Sequence, residues 1–281
     1  MFIDAHVHPE LYEPICTDER LIELRRDSLH ILKMSVKPME HIFCQMAAAK
    51  LDKSVLFAKD YRSSDGEAAL ANEAVAELCR LYPERFIGVA SVDPSDPAWL
   101  EKAEYAFTEF GLKGIKLHPG RQKFYPGEER MEPLYRLCEA YDKPIVFHSG
   151  LSFEPDCPAK YARPIEFEPV AMNHPKLRIC LAHFGWPWVR ETAMLLLKYP
   201  NVYTDTAALY FDSAREFLRQ MLTVDVPGTW IDRSLRHQVM FGSNYPRFEQ
   251  RRMAETLDTL GFREETVELI KGRNAVEFYR L

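Results

Sequence analysis

Residues 2–9 read FIDAHVHP, an apolar run that ends in two histidines one residue apart and then in a proline. Such a run predicts a buried strand, Phe2–Val7, with Pro9 marking the turn after it. Seven more runs of this kind follow: Ser54–Ala58, Phe86–Val92, Gly114–His118, Pro144–His148, Leu177–His183, Val202–Thr206 and Gln238–Gly242. Between most of them the spacing turns helical. Ala71, Ala74, Val75, Leu78 and Leu81 make one apolar stripe and leave Glu73, Glu77 and Arg80 outside. Eight strands alternating with crossover helices predict an α/β fold, a (β/α)8 TIM barrel forming a single domain over residues 1–281, with its active site at the C-terminal ends of the strands. A doubly wound open sheet is the rival. It fits less well because no glycine-rich phosphate turn follows the first strand and the histidines end several strands rather than one crevice.

Composition narrows the function. Hydrophobic residues make up 47% of the 281-residue chain, enough for one sizeable core. A net charge of −6 and a pI near 5.9 argue against nucleic acid, which needs clustered cations. The densest basic pairs, Arg25-Arg26 and Arg251-Arg252, lie beside acidic residues. No apolar run approaches the ~20 residues of a membrane span, and Asp4 and His6 interrupt any signal-peptide pattern at the start. Six cysteines without a CxxC pair read as reduced thiols, so a cytoplasmic protein is expected. The partner to expect is a small-molecule substrate.

Five of the nine histidines, His6, His8, His118, His148 and His183, fall at predicted strand ends. Side chains alternate along a strand, so His6 and His8 are expected to face one way, with Asp4 one layer deeper. The same parity places Val146 with His148, Leu181 with His183, and Met240 and Gly242 with Asn244. A lone HxH pair is more often simply packed, but several buried imidazoles at one barrel level each need a polar partner. Neutral imidazoles bind zinc and similar ions at about 2.0–2.1 Å, and a catalytic site keeps one position open. These residues alone leave open which histidine is ligand and which is base. His30, His41, His174 and His237 fall in helices or loops and are expected at the surface or in caps. Two long connections, Pro9–Val36 and Leu151–Arg163, are expected to overhang the barrel mouth.

IDAHVH, GIKLHP, PIVFHSG, LAHFGWPW, VYTDTA and MFGSNYP, in that order along nearly the whole chain, resemble the amidohydrolase-related branch (amidohydrolase family 2) of the amidohydrolase superfamily. That branch includes aminocarboxymuconate semialdehyde decarboxylase and pyrone dicarboxylate lactonase. The resemblance implies one divalent metal ion, zinc first and manganese second, on His6, His8 and His148, with His183 as the catalytic group beside the metal-bound water or substrate. It implies a metal-dependent hydrolase of a small carboxylated or cyclic (lactone or amide) substrate. A metal-dependent decarboxylase is the runner-up, and a non-catalytic metal-binding barrel the third reading. Homodimers are common in the branch, so a homodimer is one assembly to expect.

One departure stands out: the branch usually carries GSDYP at its eighth strand, whereas this chain has Asn244. An amide cannot take a proton near neutral pH, although its oxygen can touch a metal or orient a substrate. Proton transfer is therefore expected to fall to His183. Lys116 and His118, with Arg121, are expected to bind a substrate carboxylate; the rivals are a carboxylated Lys116 bridging two metals, or Lys116 tied to Asp4. Trp186, with Trp188 and Phe184, is expected either to wall a planar substrate or to pack the rim. Asp205 is expected to support a ligand histidine or to anchor the seventh loop.

Overall fold

The computed structural model describes residues 1–31, 33–207 and 213–281. Among these, eight parallel strands run in chain order around one sheet: β1 (Ile3–Val7), β2 (Lys53–Phe57), β3 (Phe86–Ser91), β4 (Ile115–Leu117), β5 (Ile145–Phe147), β6 (Ile179–Leu181), β7 (Val202–Asp205) and β8 (Val239–Met240). The seam between β8 and β1 closes through backbone bonds. Ala5 N–H donates to the Phe241 carbonyl (2.8 Å), Asn244 N–H to that of His6 (3.0 Å) and His8 N–H to that of Tyr245 (2.8 Å). This closure makes a barrel and rules out the open sheet.

The strands are apolar on both faces because both are covered. Val55, Phe57, Ile87, Val89, Val146, Cys180 and Met240 fill the interior, which Ala275, Phe278 and Tyr279 of the last helix join. Leu56, Ala90, Ile115, Leu117, Phe147, Leu181 and Phe241 face outward into the layer shared with the helices. The helix Asn72–Leu81 buries Val75 and Leu78, as its stripe predicts. No helix of the described residues is long and apolar enough to cross a membrane. All six cysteines are free.

Strict alternation fails in two places, and both matter for the site. In β1, Asp4 pairs with Ser54 but Val7 pairs with Leu56, so three residues of β1 span two of β2. This bulge resets the parity. His6 and His8 face the mouth, whereas Asp4 is not beneath them: its carboxylate accepts from the Ser243 hydroxyl and, at 2.8 Å, from the Gln250 amide. In β6 the ladder ends at Leu181, which faces outward, so Leu181 and His183 do not share a face. His183 reaches the mouth because it adopts the left-handed region (φ 61°), as do Phe184 (φ 52°) and Gly185 (φ 64°). For residues with a Cβ this conformation costs of order 1–3 kcal/mol each and persists only where the surroundings impose it.

The connection after β1 carries the helix Glu19–Leu29, and that after β5 carries a turn at Ala159–Tyr161. A two-stranded hairpin after β2, Lys59–Asp60 with Ala68–Leu70, also rises at the rim. Its strands are two and three residues long, too short to stand out as periodic runs.

Gly242 lies at the seam, where an added Cβ would stand 2.8 Å from the His6 Cβ. Gly242→Ala must push β8 away from β1, an overpacking cost of order 1–3 kcal/mol. A lowered denaturation midpoint is expected; an unchanged midpoint would contradict the close approach.

Candidate active site

The strand ends converge on a cavity of about 50 Å³ lined by His6, His8, Lys116, His118, His148, His183 and Asn244. Loop residues complete it: Ser28 and Leu29 after β1, Lys59 and Tyr61 after β2, Arg121 after β4, Ser152 and Glu154 after β5, and Arg247 after β8. The imidazoles touch one another. Ring centroids lie 5.2 Å apart for His6 and His8, 4.8 Å for His6 and His183, and 4.9 Å for His148 and His183. His118 stacks on His148 at 3.9 Å.

Hydrogen bonds decide which nitrogen of each ring offers a lone pair. Asp205 Oδ2 lies 2.8 Å from His6 Nδ1, so Nδ1 carries the proton and Nε2 is left as an acceptor. That Nε2 is buried without a hydrogen-bond partner. The other oxygen of Asp205 accepts from the backbone N–H groups of His183 (2.8 Å) and Ala207 (3.1 Å). Asp205 thus bonds the His6 ring and two backbone N–H groups that follow β6 and β7. Carbonyl groups only accept, so His183 Nδ1–H donates to the Ala207 carbonyl (3.1 Å) and frees Nε2, while His148 Nε2–H donates to that of Leu151 (3.1 Å) and frees Nδ1.

The electrostatics keep these rings neutral. Burial, reinforced by Lys116 and His8, holds His6 well below the ordinary imidazole range. Burial pushes His148 down to about 3, and lowers His8 and His183 as well. Neutral, oriented imidazoles with a buried orphan nitrogen are the donor set a divalent ion requires. The residues present fit such an ion.

Lys116 is 2% exposed and its Nζ has no hydrogen-bond partner; burial brings it down to about 8 although Asp205 favours its charge. It is not tied to Asp4, and its ammonium lies over the Phe57 ring at 5.0 Å. His118 is arranged as a donor: its Nδ1 accepts from the Arg121 backbone N–H (3.3 Å), so Nε2–H points to Ser152 Oγ (3.2 Å). For the same reason His118 does not make a second ion site with Glu154 and Cys157, although their donor atoms lie within 4.8 Å of one another. Asn244 lines the cavity with φ 61°, a left-handed conformation that asparagine tolerates better than most residues.

One expected substrate contact is already engaged by the protein, and another lies outside the cavity. Arg121 lines the cavity, but its guanidinium is already held by Asp65 and, at 3.4 Å, by Glu154. Trp186 does not line the cavity; it borders a separate groove with Trp188, and its ring lies 6.0 Å from that of Phe217. The left-handed turn that sends His183 inward carries the following residues away, and Phe184 is buried in the layer between sheet and helices. His174, expected at the surface or in a cap, does cap the helix Glu168–Asn173 but is buried between Glu132 and Glu139. Sequence reasoning missed a buried ion pair in the wall of the mouth: Lys59 Nζ lies 3.0 Å from Glu10 Oε1, which also stands 3.5 Å from His8 Nδ1. Glu10, directly after HVHP, was the available signal.

Asp205→Asn tests the geometry. The amide can turn its NH2 toward His6 Nδ1 and move the ring proton to Nε2, removing the lone pair. Affinity for a divalent ion should fall about 10–100-fold, the usual cost of losing such a supporting group, with the barrel still folded. Undiminished affinity in an ion titration would show that Asp205 does not set the His6 tautomer.

Solved structures of similar fold cover nearly the whole chain. An uncharacterized TIM-barrel protein from Bordetella bronchiseptica is 23% identical (TM-score 0.75; 99% of this chain, 97% of that one). The 4-oxalomesaconate hydratase from Rhodopseudomonas palustris is 20% identical (0.70; 100% and 96%). The 5-carboxyvanillate decarboxylase from Sphingomonas paucimobilis is 18% identical (0.66; 100% and 99%). At these identities the likeness establishes the fold. Among curated proteins, Protein fluG of Emericella nidulans is 29% identical over 92 residues, 31% of this chain, and the match spans only 10% of that protein's length. The family profile described as Amidohydrolase matches residues 3–281. This chain belongs to the amidohydrolase family.

Proposed function

We propose that this chain is a hydrolase of a small carboxylated or cyclic (lactone or amide) substrate, with one divalent ion, zinc or manganese, held by His6, His8 and His148. The observation that carries the reading is His6, whose Nδ1 is bonded to Asp205 while its Nε2 is buried with no hydrogen-bond partner beside His8 and His183. The ion, when bound, supplies Lewis acidity: it polarises a substrate oxygen and makes a water acidic enough to attack near neutral pH.

The remaining work falls to this chain's own side chains. His183, with its Nδ1–H on the Ala207 carbonyl, presents Nε2 as the proton acceptor. Asn244 can orient a substrate oxygen but cannot exchange a proton. Lys116 offers an unpaired ammonium to a substrate carboxylate, and His118 a donor. The same buried ammonium favours a second reading, decarboxylation, the activity named for the similar Sphingomonas enzyme. There it would grip the carboxylate that departs.

Acid release against carbon dioxide release from a panel of lactones, amides and aromatic acids separates the readings. Acid release alone is expected; carbon dioxide alone would replace hydrolase by lyase, and no turnover on any member would favour a binding barrel. His183→Ala should lower kcat about 10²–10⁴-fold, the range for a lost acid/base group, with ion content unchanged. Lys116→Met should raise KM for an acidic substrate more than it lowers kcat, because it removes binding shared by ground and transition states. A fall in kcat alone would show Lys116 acting in the chemical step.

A further inference from the structure

A cavity of about 50 Å³ holds little more than a water or two, whereas pockets that enclose organic ligands run to about 300–1,000 Å³. Two of the polar groups that line it come from one segment, Ser152–Glu154 after β5. Ser152 Oγ accepts from His118 Nε2–H (3.2 Å) and shares the His148 Nε2–H, 2.9 Å away, with the Leu151 carbonyl. Two residues on, Glu154 Oε1 accepts from Arg121 Nη1 (3.4 Å) and lies 3.3 Å from His30 Nε2, on the connection after β1. Between them Phe153 points outward and is 55% exposed, with the Arg247 guanidinium 5.7 Å from its ring centre. A hydroxyl and a carboxylate from one short segment thus occupy donors of the mouth.

We propose that Ser152–Glu154 is an internal stand-in for the substrate: Ser152 takes the place of a substrate oxygen at His118, and Glu154 that of a substrate carboxylate at Arg121. This deepens the function proposed above and rests on it, and it restores Arg121 to anion binding as a group the protein itself covers. Substrate entry exchanges one carboxylate for another at Arg121, which keeps its second partner, Asp65, throughout. Once Glu154 leaves, the segment carries Ser152 away and frees His118 Nε2–H. The exchange costs little charge separation, because a guanidinium with several donors passes from one anion to the next. It also selects: a neutral ligand has nothing to offer in place of Glu154.

The stand-in competes with ligand, so removing it should tighten binding. If the open arrangement is about one tenth populated, the apparent Kd is about ten times the intrinsic one. The probes are salicylate, which has a carboxylate and a hydroxyl, and benzoate, which has only the carboxylate, titrated calorimetrically into the metal-loaded full chain. Glu154→Gln should lower the Kd of both probes up to about ten-fold, and adding Arg121→Met to it should abolish the gain. Ser152→Ala should tighten salicylate more than benzoate. Unchanged or weaker salicylate binding in both single variants, or no binding to any form, overturns the proposal. Lys116→Met tests the underlying reading separately: if it leaves salicylate binding intact while Glu154→Gln tightens it, the Lys116 contact fails and the stand-in remains.

Discussion

The bond between Asp205 and His6 is the constraint on which the site depends. One carboxylate at the end of β7 holds the His6 ring through Oδ2 and two backbone N–H groups through Oδ1. It thereby ties β1, β6 and β7 together at the mouth. The first contact decides which nitrogen of His6 is free. The second helps keep His183 in a left-handed conformation that a β6 continued as a strand would not produce. A mobile carboxylate could not do this. Asp205 is 1% exposed and each oxygen is used.

Much of this was legible in the residues. The alternation of β-branched runs with helical stripes gave the barrel, because parallel strands buried on both faces read as continuous apolar segments. Histidines at strand ends gave the cavity lining, since position along a barrel strand maps directly onto height. Parity gave the inward faces of β4 and β5, where no bulge intervenes. It failed at β1, where one extra residue turns Asp4 outward, and at β6, where the backbone leaves the strand before His183. Neither event has a local signature: a bulge is set by the partner strand, and the left-handed turn by Asp205, 22 residues away. The contacts of Arg121 were illegible for a similar reason. Asp65 and Glu154 come from separate loops, and only the closed fold brings them to one guanidinium.

Asn244 bears on the proposed chemistry by what it withholds. The turn it occupies needs a residue that tolerates positive φ, and asparagine and aspartate both do. The sequence keeps the backbone geometry and gives up the charge. With no carboxylate at that position, the proposed proton acceptor is His183 Nε2, whose orientation is fixed by the hydrogen bond of Nδ1 to the Ala207 carbonyl. Glu10 and Glu154 also reach the mouth, but each already faces a cation, Lys59 or Arg121. The site thus presents neutral imidazoles and an unpaired ammonium, an arrangement suited to a cation and an anion held side by side.

In the proposed site, His6 offers Nε2 to a divalent ion because Asp205 holds Nδ1. The most direct measurement is a crystal structure of the zinc- or manganese-loaded protein, with the ion located by anomalous scattering. A single ion bonded to His6 Nε2 at about 2.0–2.2 Å, with Asp205 still on Nδ1, is the expected result. An ion bonded to Asp205 in place of His6, or one seated on His118, Glu154 and Cys157, would contradict it.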